Sequence, residues 1–135
     1  MAYFAEWNGY LSVNVSDMDD RHKRLIGIAN RLYNARLEGR SLEVETDAMD
    51  ELSGYGRDEL GKEEALMIEK GYLDFSRHEA MHDQFRAEIK RCFSLKKEGA
   101  AVTDQILDFL KKWLMGHVLK ADKELGLFLN SKGIT

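Results

Sequence analysis

The sequence predicts an all-α fold, an antiparallel up-down-up-down four-helix bundle with an N-terminal arm, and three observations carry that expectation. The 135 residues include no proline, so nothing of that kind interrupts a long helix. Four stretches place apolar residues at alternating steps of three and four, which is the period of one helix face. Gly39, Gly71 and Gly99 stand at the ends of the first three stretches, where a helix commonly stops. Amphipathic helices joined by short connections pack as antiparallel neighbours around one core.

Residues 1–17 form a polar and aromatic arm without helical period. The run from Ser16 to Asp20 offers capping side chains, and a first helix is expected from about Asp19 to Glu38. Its inward line is Met18, His22, Leu25, Ala29 and Leu32. A second helix should span about Leu42 to Lys70, with Leu52, Gly56, Glu59, Glu63 and Leu66 inward. Gly54, Gly56 and Gly61 weaken it by roughly 0.5–1 kcal/mol each relative to alanine, so its boundaries are the softest. A third should cover about Asp74 to Lys97, with Phe75, His78, His82, Phe85, Ile89 and Cys92 inward. A fourth should begin near Val102, capped by Thr103 or a neighbour, with Ile106, Leu110, Trp113 and His117 inward. The apolar tail from Leu125 to Leu129 is expected to pack back as a short turn.

Length and composition fit one domain over residues 1–135, with 44% hydrophobic and 33% charged residues. A net charge of -4 argues against a nucleic-acid partner, since phosphate binding wants a basic face. No apolar run approaches a membrane span, and the first ten residues lack the pattern of a secretory signal. The single cysteine, Cys92, forms no internal disulfide, and a reducing cytoplasm is the simplest expected location.

All four histidines, His22, His78, His82 and His117, fall on inward lines. His78 and His82 are four residues apart and share a helix face, as do Glu59 and Glu63. Burying so many polar groups without compensation would cost several kcal/mol each, on the order of 2–7 by transfer data. Imidazole suits transition metals, and carboxylates from facing helices can bridge two ions, so the pattern points to a dinuclear metal site in the bundle core.

These residues resemble the hemerythrin family over nearly the whole chain. The matching runs are Trp7-Asn8, Asp19 to Lys23, Glu63 to Met67, Gly71-Tyr72, His78 to Phe85, and Trp113 to Lys123. The resemblance implies two iron ions with a bridging oxo or hydroxo group. It implies His78, His82 and His117 on one iron, Glu63 and Asp122 as bridges, and His22 on the other iron, whose open position takes dioxygen. It also implies that Trp113 and Leu114 form an apolar pocket beside that open site. Asp122 follows His117 by five residues, about 500° around a regular helix, so helical spacing does not select it. The family places it near a helix end, where the backbone deviates.

The chain departs from the family in three places. Glu59 stands where the second histidine of the oxygen-binding iron is expected, Leu60 replaces a phenylalanine, and Leu73 replaces a proline. An anionic Glu59 ligand would favour the ferric state and speed autoxidation. The resemblance nevertheless implies dioxygen binding for storage, delivery or sensing, by an oxygen-binding protein rather than an enzyme. The alternative is a di-iron redox sensor or an oxidase- or peroxidase-like protein. A third reading is a centre that only staples the bundle, or holds zinc or manganese. The expected partners are dioxygen or a related small ligand and a signalling or redox protein, without nucleic acid or membrane.

Overall fold

A computed structural model describes residues 4–135; the first three residues of the expected arm lie outside the described residues. The chain folds into four antiparallel helical rods running up, down, up and down. The first is α1 (Ser16–Leu37). The second is built from α2 (Ser41–Gly54), a π-helical turn (Tyr55–Glu59) and α3 (Leu60–Lys70). The third is α4 (Phe75–Lys97). The fourth is α5 (Thr103–Trp113), a π-helical stretch (Leu114–Asp122) and α6 (Lys123–Ser131). Among the described residues there is no strand, and no helix is long and apolar enough to cross a membrane.

The second rod ends at Gly71, whose φ of 73° suits the left-handed region that glycine enters without a Cβ clash. There the Tyr72 amide donates to the Met67 carbonyl at 2.9 Å and the Gly71 amide to Ile68 at 3.2 Å, the paired bonds of a Schellman stop. The same pair of bonds closes the rods at Gly39 and Gly99. The helix starts differ from expectation. Neither α1 nor α5 has a side-chain N-cap. Asp19 instead accepts from the Val13 amide at 2.9 Å and from the Ser12 hydroxyl at 2.6 Å, which ties the arm to α1. Thr103 donates to the buried Glu45 carboxylate, which also takes Lys96 Nζ at 2.6 Å and the Val102 amide at 3.2 Å. Glu45 therefore stitches the start of α5 to α2 and α4.

The tail does not fold back. It prolongs the fourth rod as α6, and Leu125 and Leu129 are buried there. The arm lies across it so closely that a Cβ on Gly126 would stand 2.4 Å from the Val13 carbonyl oxygen. Asn30 holds the arm's beginning: its side-chain oxygen accepts from the Phe4 and Ala5 amides, and its Nδ2 donates to the Ala5 carbonyl at 2.8 Å.

The apolar interior is in two parts. A large cluster includes Leu25, Leu52, Leu60, Phe85, Ile106 and Leu110. A smaller one joins Val13, Val15, Met18, Met67, Leu125 and Leu129. In α1, His22 stands between Met18 of the small cluster and Leu25 of the large one, and Glu63 stands likewise between Met67 and Leu60. A polar layer thus separates the two. Within α3, Met67 is fully buried four residues beyond Glu63, whereas the expected Leu66 is only half-buried.

Candidate metal centre

The polar layer is assembled from all four rods. From α1 come Arg21 and His22, and from the second rod Glu59 and Glu63. From α4 come His78 and His82, and from the π stretch of the fourth rod His117 and Asp122. His78 and His82 share a face because a step of four residues is only slightly more than one helical turn. His117 and Asp122 share one because the backbone between them takes i→i+5 bonding, which brings residues five apart into line. The deviation expected near a helix end lies instead inside the rod, with α6 continuing for nine residues beyond Asp122.

Glu63, His78, His82, His117 and Asp122 each offer a ligand atom, and these atoms lie within 4.8 Å of one another. Asp122 Oδ1 is 3.0 Å from His117 Nε2 and 3.1 Å from His78 Nε2. Glu63 Oε1 is 3.4 Å from His82 Nε2 and 3.9 Å from His78 Nε2. All five residues are buried, and their converging atoms, Nε2 of the three histidines, both Glu63 oxygens and Asp122 Oδ1, have no hydrogen-bond partner. Each such orphaned group costs about 1–3 kcal/mol. A metal ion shared by nitrogen and oxygen donors removes that cost at one point, so the residues present fit a transition-metal ion.

The charges are tightly coupled. Burial alone would lower the His78 pKa, but contacts with Asp122 and Glu63 and their charges raise it to about 9. Burial and the Asp122 charge push the Glu63 carboxyl up, yet its contacts with His78 and His82 bring it down to about 2. Burial also works against an ionised Asp122, but His117, His22 and His78 hold its carboxyl well below the usual range. Burial pushes the His117 imidazole down, toward the neutral form that a metal requires.

Groups behind the ligand atoms fix their orientation. His82 Nδ1 pairs with Glu64 Oε2 at 2.8 Å, and Arg86 Nη2 donates to that oxygen at 2.6 Å. Arg86 Nε also donates to the Gly56 carbonyl in the π turn at 2.8 Å. Trp113 stacks on His117 with ring centroids 4.0 Å apart and planes 14° apart, and approaches His82 at 6.3 Å. Its ring contacts are therefore on the three-histidine side, while Leu114 is buried in the large apolar cluster.

Two expected residues stand beside the group of five. His22 Nε2 is 2.9 Å from Asp122 Oδ2, the oxygen facing away from the other histidines. Glu59 faces cations: its Oε2 lies 2.8 Å from Arg24 Nη2 and 3.9 Å from Arg21 Nε. Arg21 is itself buried, 7% exposed, and its Nε is 3.5 Å from Glu63 Oε2. The inward line expected for the first helix leaves out Arg21 and Arg24. The signal was present, because Met18, Arg21 and Leu25 also follow steps of three and four. The line expected for the second helix likewise leaves out Tyr55, whose buried hydroxyl has no partner. Burial pushes its pKa well up, and the Glu63 and Asp122 charges push the same way.

The family model for the hemerythrin HHE cation-binding domain matches residues 13–128. A bacteriohemerythrin of Methylococcus capsulatus is 32% identical over 122 residues, covering 87% of this chain and 90% of that protein. One of Pseudomonas aeruginosa is 28% identical over 116 residues, covering 86% of this chain and 75% of that protein. A crystal structure of hemerythrin carrying a leucine-to-alanine substitution superposes with a TM-score of 0.85 at 28% identity, covering 95% of this chain and 98% of that one.

Proposed function

The chain belongs to the hemerythrin family, and from that premise we propose that it is a non-haem di-iron protein that binds dioxygen for storage, delivery or sensing. The observation that carries the reading is the set of five buried residues on three rods whose orphaned ligand atoms converge within 4.8 Å. His78, His82 and His117 would hold one iron. Glu63 and Asp122 would reach from it to a second, with an oxo or hydroxo bridge between the ions. His22 and Glu59 would serve the second ion. Iron held there supplies an ion that changes oxidation state on meeting oxygen.

The chain's own residues do the rest. Glu64 and Arg86 hold the His82 ring by its Nδ1. Trp113 and the large apolar cluster keep water from the histidine side. Residues 1–135 form one such domain in this reading, and a redox or signalling protein is the partner class. The test is to reduce the iron-loaded protein without air, admit oxygen, and follow the ultraviolet and visible charge-transfer bands. A new spectrum that reverts when oxygen is withdrawn supports the proposal. Irreversible conversion to a ferric spectrum sinks reversible binding.

A second reading, a redox sensor or oxidase-like protein, is favoured by one observation: a carboxylate, Glu59, stands where the family resemblance leads one to expect a neutral histidine. Anionic ligation favours the ferric state. Glu59→His should then slow autoxidation, and an unchanged rate would remove the reason for this reading.

A further inference from the structure

The half of the polar layer around His22 and Glu59 differs electrically from the half built by three histidines. Arg21 is buried with its Nε 3.5 Å from Glu63 Oε2 and 3.9 Å from Glu59 Oε2, and Arg24 Nη2 sits 2.8 Å from the same Glu59 oxygen. Arg21 Nε, Glu59 Oε2 and Glu63 Oε2 are all shielded from solvent, and none has a formal hydrogen bond. Two guanidinium groups therefore face the carboxylates that an ion on this side would need. They are charged at every accessible pH. A dication placed there would approach a resident buried cation in low dielectric, and like charges at such range repel strongly.

Arg24 is the movable member. Its side chain is 57% exposed, whereas that of Glu59 is 17% exposed. A surface cavity of about 380 Å³ reaches Glu59 and Arg24 between Gly27, Ile28 and Tyr55. The arginine can swing into that space and release Glu59, while Arg21, held in the interior, cannot leave as readily. On the three-histidine side the described residues place no lysine or arginine within ion-pair reach of Asp122, and only Arg21 within reach of Glu63.

Resting on the di-iron reading above, we propose that Arg21 and Arg24 make the centre load in two unequal steps. The first ion enters at His78, His82, His117, Glu63 and Asp122. The second enters at His22 and Glu59 only by drawing Glu59 away from the guanidinium groups. The protein at limiting iron therefore holds one ion per chain, and occupancy of the second position reports iron supply.

The experiment is anaerobic titration of the metal-free full chain with ferrous iron, followed by calorimetry, with iron per chain measured after dialysis. The expected result is one tight step and a second roughly a hundredfold weaker, the second strengthened about tenfold in R24Q and in R21Q. Arg24 is a surface residue, so R24Q keeps the test sound if R21Q fails to fold. Two steps of equal affinity in the native chain would overturn the proposal, as would a second step unchanged in a helical R24Q. Absence of any tight step would instead overturn the iron-centre reading itself, and this proposal with it.

Discussion

His117 and Asp122 are five residues apart on one rod, yet His117 Nε2 and Asp122 Oδ1 meet at 3.0 Å. The π-helical backbone from Leu114 to Asp122 makes that contact possible. The fourth rod thus delivers two ligand-type side chains to one point, where they meet His22, His78, His82 and Glu63 from the other rods.

Glu64 orients His82 through a single 2.8 Å contact. Glu64→Ala should lower metal affinity about 10–100-fold, as loss of a carboxylate behind a ligand histidine typically does. Competition with a chelator of known affinity measures it. Affinity equal to the parent's would show that the ring is held by packing alone.

Metal binding should release a proton below about pH 9, because the His78 pKa is raised to about 9 by Asp122 and Glu63. The raised value means that the protonated ring stabilises the metal-free protein fully below its unfolded pKa. That contribution fades as pH rises through about 9. Protons and metal compete for the ring, so affinity should climb with pH and level off near 9. Calorimetry at pH 7 in buffers of different ionisation enthalpy counts the protons.

Glu45 should contribute to acid sensitivity away from the centre. Burial works against its charge, but Lys96, Thr103 and the Val102 amide bring its pKa below the usual value. Its stabilisation is present above the unfolded pKa and is lost as pH falls through the lower folded one. Glu45→Gln should cost about 2 kcal/mol at neutral pH. The gap to the parent should narrow below about pH 4.5, near the ordinary glutamate value. Urea unfolding at both pH values tests it.

Gly126→Ala should destabilise the protein by about 1–3 kcal/mol, since the added methyl meets the Val13 carbonyl oxygen at 2.4 Å. Gly27→Ala, where nothing lies within 4 Å, should raise stability by about 0.5–1 kcal/mol through helix propensity. Opposite shifts in melting temperature are the expected pair of results.

The rods were legible in the sequence because regular helix writes its buried face at steps of three and four. His22, His78 and His82 lie in regular helix and His117 only four residues beyond Trp113, the last residue of α5, so all four stood on the expected lines, and all four are buried. Asp122 came only from family resemblance, because the irregular backbone that aligns it leaves no periodic trace. Leu66 and Met67 stand three and four residues beyond Glu63, helical spacing admits either, and Met67 is the one fully buried. Arg21 and Arg24 are left out of the inward line expected for the first helix, and their carboxylate partners lie on another rod. Thr103 was read as a local cap, whereas its partner Glu45 is 58 residues away, a relation no short window contains.

The separation of the apolar interior by a polar layer bears on cooperativity. Each cluster buries its own surface, and the layer between them binds the rods together weakly when its charges lack a common counter-ion. The end formed by the arm, Met18, Met67 and α6 should then open as a unit of its own. Its amides would exchange with deuterated solvent faster than those around Phe85 and Leu110, and a bound ion would merge the two rates into one.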